Sequence, residues 1–226
     1  MFLSLLSYSP LIAAAWVVAI TLSLTVHEFS HALVGKWKGD KTAEREGRLT
    51  LNPLAHVDVT GFIALLFLGF GWAKPVPFNP YNLKNPKWDS VAIALAGPLA
   101  NLIMATIAAI ILRLMLPSVA VTGFTLLDIF LLLTVILNLF LMFFNVIPVH
   151  PLDGSKLLFA LLDGPKHAAL RQMIFTKGPQ ILFFLVFLSL LTNIDVFGFI
   201  TTPAYGVCSA LVGIHCQSLL GAVFGG

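Results

Sequence analysis

Long apolar runs separated by short polar stretches dominate the chain. Five runs, at 10–35, 90–116, 124–148, 178–200 and 203–222, have the length of membrane-crossing helices, for which about 20 residues span about 30 Å of hydrocarbon. Charges inside them are rare. Glu28 is the single one in the first run, and the last run holds His215, Cys216 and Gln217. A sixth run, 57–72, is shorter, starts beside Asp58 and contains Gly61, Gly69 and Gly71. Its length suits a segment that enters the membrane and turns back. Segments 36–56 and 73–89 are rich in Gly, Pro, Asn and charge. They read as turns and short extended pieces at the membrane surface. Segment 153–177 is a connector broken at Gly164–Pro165. The pattern predicts an all-α polytopic membrane protein of five to six transmembrane helices, with short surface strands and a re-entrant segment. One membrane-embedded domain is expected over 1–226, with its core at about 10–160 and additional C-terminal helices at about 178–222.

Basic residues orient this arrangement. Lys36, Lys38, Lys41, Arg45 and Arg48 precede the short run, and Lys74, Lys84 and Lys87 follow it. If that run re-enters, both groups share one face. Single crossings elsewhere then bring Lys156, Lys166, Arg171 and Lys177 to the same face, leaving Arg113 alone among 13 basic residues at the opposite one. The positive-inside preference favours this reading. It predicts five crossings, an outer N-terminus and a cytoplasmic C-terminus.

Composition agrees. Hydrophobic residues are 58% and charged residues 10%, against about 45–50% and about 25% in soluble domains. The net charge is only +3, and no basic cluster is interleaved with aromatics, which argues against a nucleic-acid partner. The first 16 residues carry no Lys or Arg. They read as retained helix, not as a cleaved signal. Cys208 and Cys216 both lie in the last apolar run, and a disulfide is not expected there.

Chemistry concentrates at His27-Glu28-Phe29-Ser30-His31, late in the first run. Positions i and i+4 share a helical face, so both imidazoles can reach one ion. Zinc suits such a pair. Glu28, beside the first imidazole, has the position of the general base in a metalloprotease. Three ionisable groups inside a span are costly and mark function by default. The bland alternative is a polar patch between helices, or a His pair in water at the membrane edge. A catalytic zinc takes three protein ligands. Asp153 is the candidate for the third, in Asn145-Val-Ile-Pro-Val-His-Pro-Leu-Asp153-Gly154. Pro148 and Pro151 end the helical run there. By itself Pro-Leu-Asp-Gly is also a plain surface turn.

These motifs resemble the site-2 protease family of intramembrane zinc metalloproteases, in a compact form without PDZ or CBS domains. The resemblance covers roughly 15–160. It rests on His27-Glu28-x-x-His31, on Asn145-x-x-Pro148-x-x-Pro151-Leu152-Asp153-Gly154, and on their order and separation. Asn52-Pro53-x-x-His56-x-Asp58-x-x-Gly61 and Gly97-Pro98-x-x-Asn101 add to it. It implies one catalytic Zn2+ on His27, His31 and Asp153, a base at Glu28, and a three-helix catalytic core formed by 10–35, 90–116 and 124–148. It also implies transmembrane protein substrates, regulated intramembrane proteolysis, and a bacterial or archaeal plasma membrane with the active site toward the cytoplasm.

Other residues divide between chemistry and packing. Asn145 can offer an amide to the developing oxyanion or to the substrate, or it can cap the broken helix. His56 and Asp58 can orient substrate or support the site, or form a turn network behind Asn52-Pro53. His150 stays outside the expected ligand set. Asn101 and Asn138 read as packing amides. Two rival functions remain: a catalytically silent relative that binds membrane segments, and a metal transporter, which calls for ionisable residues spread along several spans.

Overall fold

The computed structural model describes residues 2–192 and 194–224. Its helices are α1 (Phe2–Tyr8), α2 (Pro10–Trp37), α3 (Thr42–Arg45), α4 (Val59–Leu68), α5 (Pro86–Thr122), α6 (Leu126–Val146), α7 (Gly154–Leu161), α8 (Ala168–Leu191), α9 (Gly198–Val212) and α10 (Cys216–Phe224). The protein is an all-α, multi-pass integral membrane protein. Helices α2, α5 and α6 begin at encoded caps. Ser9 with Pro10 opens α2, Asn85 with Pro86 opens α5, and a reciprocal Thr125–Asp128 box opens α6. Proline costs nothing at a first helical position, where its missing N–H would be unpaired anyway. These three helices form the core around the site. Ala13, Ala19, Ala94, Ala105 and Ala109 are buried there, and such small side chains let backbones approach within a membrane.

The 57–72 run re-enters. Helix α4 has 10 residues, about 15 Å of helix, half of what a crossing needs. Its two flanks then meet: Val57 bridges Ala73 in antiparallel fashion, and the Lys74 N–H donates to the His56 carbonyl at 2.8 Å. That single bridge is what remains of the expected surface strands, because no strand forms among the described residues. Pro75, Pro77 and Pro80 remove the N–H groups a longer ladder would need.

The basic residues gather at one end. Ion pairs Lys38–Asp89, Lys87–Asp163 and Arg171–Asp163 tie the end of α2, the start of α5 and the start of α8 together there.

The C-terminal third departs from expectation. Helix α8 starts at the basic end, and its Gly178 lies against the His150 backbone. By Phe197, whose ring meets Phe144 at the end of α6, the chain is still in the basic half. Helix α9 then runs antiparallel to α6, with Tyr205 on Phe140, and ends with Gly213 beside Arg113 at the opposite end. There the expected 203–222 span breaks, with α10 bent by 92° from α9. The bend brings Cys208 onto Cys216, and the two form a disulfide, contrary to the sequence reading. The Tyr8 hydroxyl donates to the Val223 carbonyl at 3.0 Å. The two terminal regions therefore share the end away from the basic cluster, not opposite faces. The charge pattern is silent here because no Lys or Arg follows Lys177.

Candidate metal centre

Helix α2 carries His27 and His31 on one face, and both are buried. Each ring is fixed through Nδ1. His27 Nδ1 lies 2.6 Å from Asn101 Oδ1 on α5, and His31 Nδ1 lies 2.7 Å from the Ile93 carbonyl. Both partners are acceptors, since the Asn101 amide nitrogen is committed to Asn138 Oδ1 at 2.7 Å and to the Ser23 carbonyl at 3.3 Å. Each Nδ1 therefore carries the proton, and each Nε2 presents a lone pair.

Those lone pairs converge with a carboxylate. The two Nε2 atoms lie 3.0 Å apart, and Asp153 Oδ2 lies 3.2 Å from His27 Nε2 and 3.4 Å from His31 Nε2. Asp153 Oδ2 is buried without a hydrogen-bond donor. Three electron-pair donors this close repel unless a proton or a metal cation sits among them. A tetrahedral ion with bonds of about 2.0–2.1 Å holds its donor atoms about 3.3–3.4 Å apart. The trio's separations of 3.0–3.4 Å come close to that spacing, and it is the single such group of His, Cys, Asp and Glu among the described residues. A transport path would need further groups along the spans.

Two glycines make the convergence possible. A Cβ on Gly97 would stand 2.5 Å from His31 Nε2 and 2.6 Å from His27 Cε1, so α5 can pass the imidazoles only as glycine. A Cβ on Gly154 would stand 2.0 Å from the Val146 carbonyl oxygen, so the Asp153 turn can tuck under the end of α6 only with glycine next to it.

Glu28 is buried beside this trio and faces an extended strap formed by residues 73–78. The Val76 N–H donates to Glu28 Oε2 at 3.1 Å. Oε1 accepts no hydrogen bond from the described residues.

The remaining candidates lie elsewhere. His56 is 1% exposed and belongs to the turn network, with Nε2 2.8 Å from the Thr50 carbonyl. Asp58 caps α4, accepting from the Thr60 hydroxyl and the Gly61 N–H. These two bonds hold its carboxyl below the usual aspartate range. The Asn145 amide donates to the Leu141 carbonyl of its own helix at 3.0 Å and makes no hydrogen bond to the trio. His150 stacks on Phe175 at 4.4 Å, and burial, followed by the charge of Lys156, lowers its pKa. Sequence reasoning undervalued Asn101 and Asn138. Asn138 bonds the Ser23 hydroxyl at 2.7 Å, which closes a buried polar network behind His27. Their signal was one amide in the apolar stretch of each of two core helices, α5 and α6.

A helical membrane bundle with a preformed two-imidazole, one-carboxylate cradle and a carboxylate beside it defines a membrane-embedded zinc metalloprotease. Comparison with known proteins gives the family. The profile of peptidase family M50 matches residues 15–128 and 118–191, and the chain belongs to that family. It is 40% identical over 162 residues to the provisionally named zinc metalloprotease YwhC of Bacillus subtilis, covering 69% of this chain and 73% of that one. To the provisionally named zinc metalloprotease MJ0611 of Methanocaldococcus jannaschii it is 29% identical over 157 residues, 67% of this chain and 73% of the relative. A third relative, Rip2 of Mycolicibacterium smegmatis, named in the same way, is 32% identical over 102 residues, 43% of this chain and 38% of its own. No solved structure matches.

Proposed function

We propose that this protein hydrolyses peptide bonds within or beside transmembrane segments of other membrane proteins, in the manner of regulated intramembrane proteolysis, at a site opening toward the cytoplasm. The observation that carries the reading is the meeting of His27 Nε2, His31 Nε2 and Asp153 Oδ2 within 3.4 Å of one another, inside a helical bundle. These three residues would hold the zinc. When bound, zinc polarises a carbonyl and makes water acidic enough to attack near neutral pH.

The remaining steps fall to the chain's own groups. Glu28 Oε1 takes the proton of the attacking water and returns it to the leaving amine nitrogen. Its other oxygen stays on the Val76 N–H. Asn101 and Ile93 keep the imidazoles in one tautomer throughout. Asn145 keeps one N–H on the Leu141 carbonyl, and its second N–H is the donor that could support the substrate carbonyl.

A route for substrate lies beside the core. An apolar cavity of about 770 Å³ opens between α4, α6 and α9, lined by Leu65, Phe70, Leu137, Phe140, Phe144 and Tyr205. It also reaches Gly69 and Gly71, the turn that leads into the strap on Glu28. An apolar helix fits such walls. Its bonds must unwind locally before cleavage, because a helical carbonyl is occupied by its own i+4 N–H.

The test is cleavage of a single-span substrate by the purified protein in bilayers, with Glu28→Gln beside the wild type. Glutamine keeps the shape and cannot take the proton. The variant is expected to keep its zinc and to lose activity by about 100- to 10,000-fold, the usual worth of a general base. Full activity in Glu28→Gln would remove this mechanism.

A further inference from the structure

Arg48 stands out among the groups that the proposed chemistry leaves unused. It is 5% exposed, and among the described residues no carboxylate lies within ion-pairing reach of it. Burying a guanidinium without a counter-ion is costly unless its donors are well placed. Two of them are. One terminal nitrogen donates to the Pro75 carbonyl at 3.0 Å, and the other to the Lys74 carbonyl at 2.5 Å. The next residue along, Val76, is the one whose N–H holds Glu28. The other end of the strap is secured separately by the Val57–Ala73 bridge and by the Lys74 N–H on the His56 carbonyl.

The strap cannot hold itself in place. Pro75 and Pro77 lack N–H groups, so neither can pair with a neighbouring strand. Its free carbonyls need an outside donor. A planar fork with several N–H groups is the side chain best suited to grip two successive carbonyls.

We infer that Arg48 is a positioning residue for the proton-transfer step. By locking the Lys74 and Pro75 carbonyls it fixes the Val76 N–H on Glu28 Oε2, which leaves Oε1 as the oxygen that exchanges the proton. The inference rests on Glu28 being the proton acceptor. It explains why a cation is buried in a surface turn with two backbone carbonyls as its partners. It also gives His56 a supporting part: its ring is held by the Thr50 carbonyl while its own carbonyl holds the strap.

The test uses Arg48→Ala, Arg48→Lys, Val76→Pro and the double variant Arg48→Ala/Val76→Pro of the full chain in bilayers. Val76→Pro deletes the donor in a stretch that already contains Pro75 and Pro77. Four quantities are read: zinc per protein, kcat, KM, and amide exchange over 72–79. Zinc content should be unchanged in all variants. Arg48→Ala and Val76→Pro should each lower kcat by about 10- to 100-fold, as misplacing a reacting group does, with KM within about twofold. Arg48→Lys, which keeps the charge but not the fork, should fall between wild type and Arg48→Ala. The double variant should be no slower than the slower single one, because both break the same link. In Arg48→Ala the Lys74 and Val76 amides should exchange faster. Added ethylguanidinium should restore part of that variant's rate and none of Glu28→Gln's.

Three results would overturn the inference: losses that multiply in the double variant, a raised KM at unchanged kcat, or unaltered exchange of the Lys74 and Val76 amides in Arg48→Ala. A wild type as inactive as Glu28→Gln would instead count against the cleavage reading. The exchange measurement would still decide whether Arg48 clamps the strap.

Discussion

Asn101 and Asp153 touch the same imidazole, His27, from opposite sides, and their loss should register differently. Asp153→Ala removes one of three donor atoms, so purified protein should carry little zinc and no activity. A variant with normal zinc would show that another group completes the site. Asn101→Ala leaves all three donors and removes only the acceptor that sets the His27 tautomer. Partners of this kind are worth about 10- to 100-fold in metal affinity, so zinc should bind but be lost to a competing chelator at correspondingly lower concentration. Equal chelator resistance in Asn101→Ala and wild type would reduce Asn101 to a packing amide. The contrast also marks what could be read from sequence. His27 and His31 declare themselves by one-turn spacing, and Asp153 by the prolines that end the helix before it. Asn101 is 74 residues from the ring it holds, and an amide three residues after Pro98 is equally suited to mending a kinked helix. Only packing of α2 on α5 distinguishes these roles. Asn145 is the converse case: its motif suggested the site, while its amide donates to the carbonyl one turn back, a bond that polar side chains in helices commonly make.

Short elements were harder to anticipate than long ones, because their form depends on who holds them. Surface segments 36–56 and 73–89 read as turns and short extended pieces, with short strands implied by the family resemblance, and prolines confine them to a strap and turns. Pinning falls to polar side chains, and Asp40 is the chief of these. It is 2% exposed and accepts from the Thr42 N–H at 3.0 Å, the Asn82 amide at 2.8 Å and the Asn79 N–H at 2.6 Å, which ties the turn after α2 to the turn before α5. Burial alone would raise its pKa. The bonds from Asn82, Thr42 and Asn79 outweigh that and hold the carboxyl below the usual aspartate value. A carboxyl whose folded pKa is depressed stabilises the fold fully above its unfolded value, about 3.9, and loses that contribution as pH falls through the lower folded value. Asp40→Asn should therefore melt below wild type by a constant margin between about pH 5 and 7. The margin should shrink as the pH drops below about 4. Thermal unfolding in detergent across that range would check it, and a margin independent of pH would mean the carboxylate charge contributes nothing.

The whole molecule places its chemistry by an asymmetry between two ends, and two independent features report it. Lys38, Lys87 and Arg171 cluster at one end through ion pairs, and basic residues favour the cytoplasmic face. The Cys208–Cys216 disulfide sits at the other, near Arg113, and disulfides persist in oxidising compartments outside the cytoplasm. Both features agree with the orientation proposed above, in which the basic end and the metal centre's turn face the cytoplasm. Hydropathy could find the apolar runs, but it could not see that 203–222 breaks in the middle or that α9 returns alongside α6. Those facts depend on Gly213, on the bend after it and on contacts with Phe140 and Phe144. The consequence is testable with single introduced cysteines, because both native ones are joined to each other and leave no competing thiol. Lys41→Cys, Lys84→Cys and Lys166→Cys should react with a membrane-impermeant reagent only when the cytoplasmic face is exposed. Ser118→Cys, near the outer end of α5, should react from outside. Gln217→Cys is the discriminating position. Alternating crossings of all five apolar runs would put the end of the chain on the cytoplasmic side. The structure puts α10 beside Tyr8 and the start of α2, so Gln217→Cys should be labelled from the same side as Ser118→Cys. Labelling of Gln217→Cys together with Lys41→Cys would mean that α8 crosses fully and that α9 and α10 dock differently against α6. The apolar cavity between α4 and α9 would then no longer be available as the route to Glu28.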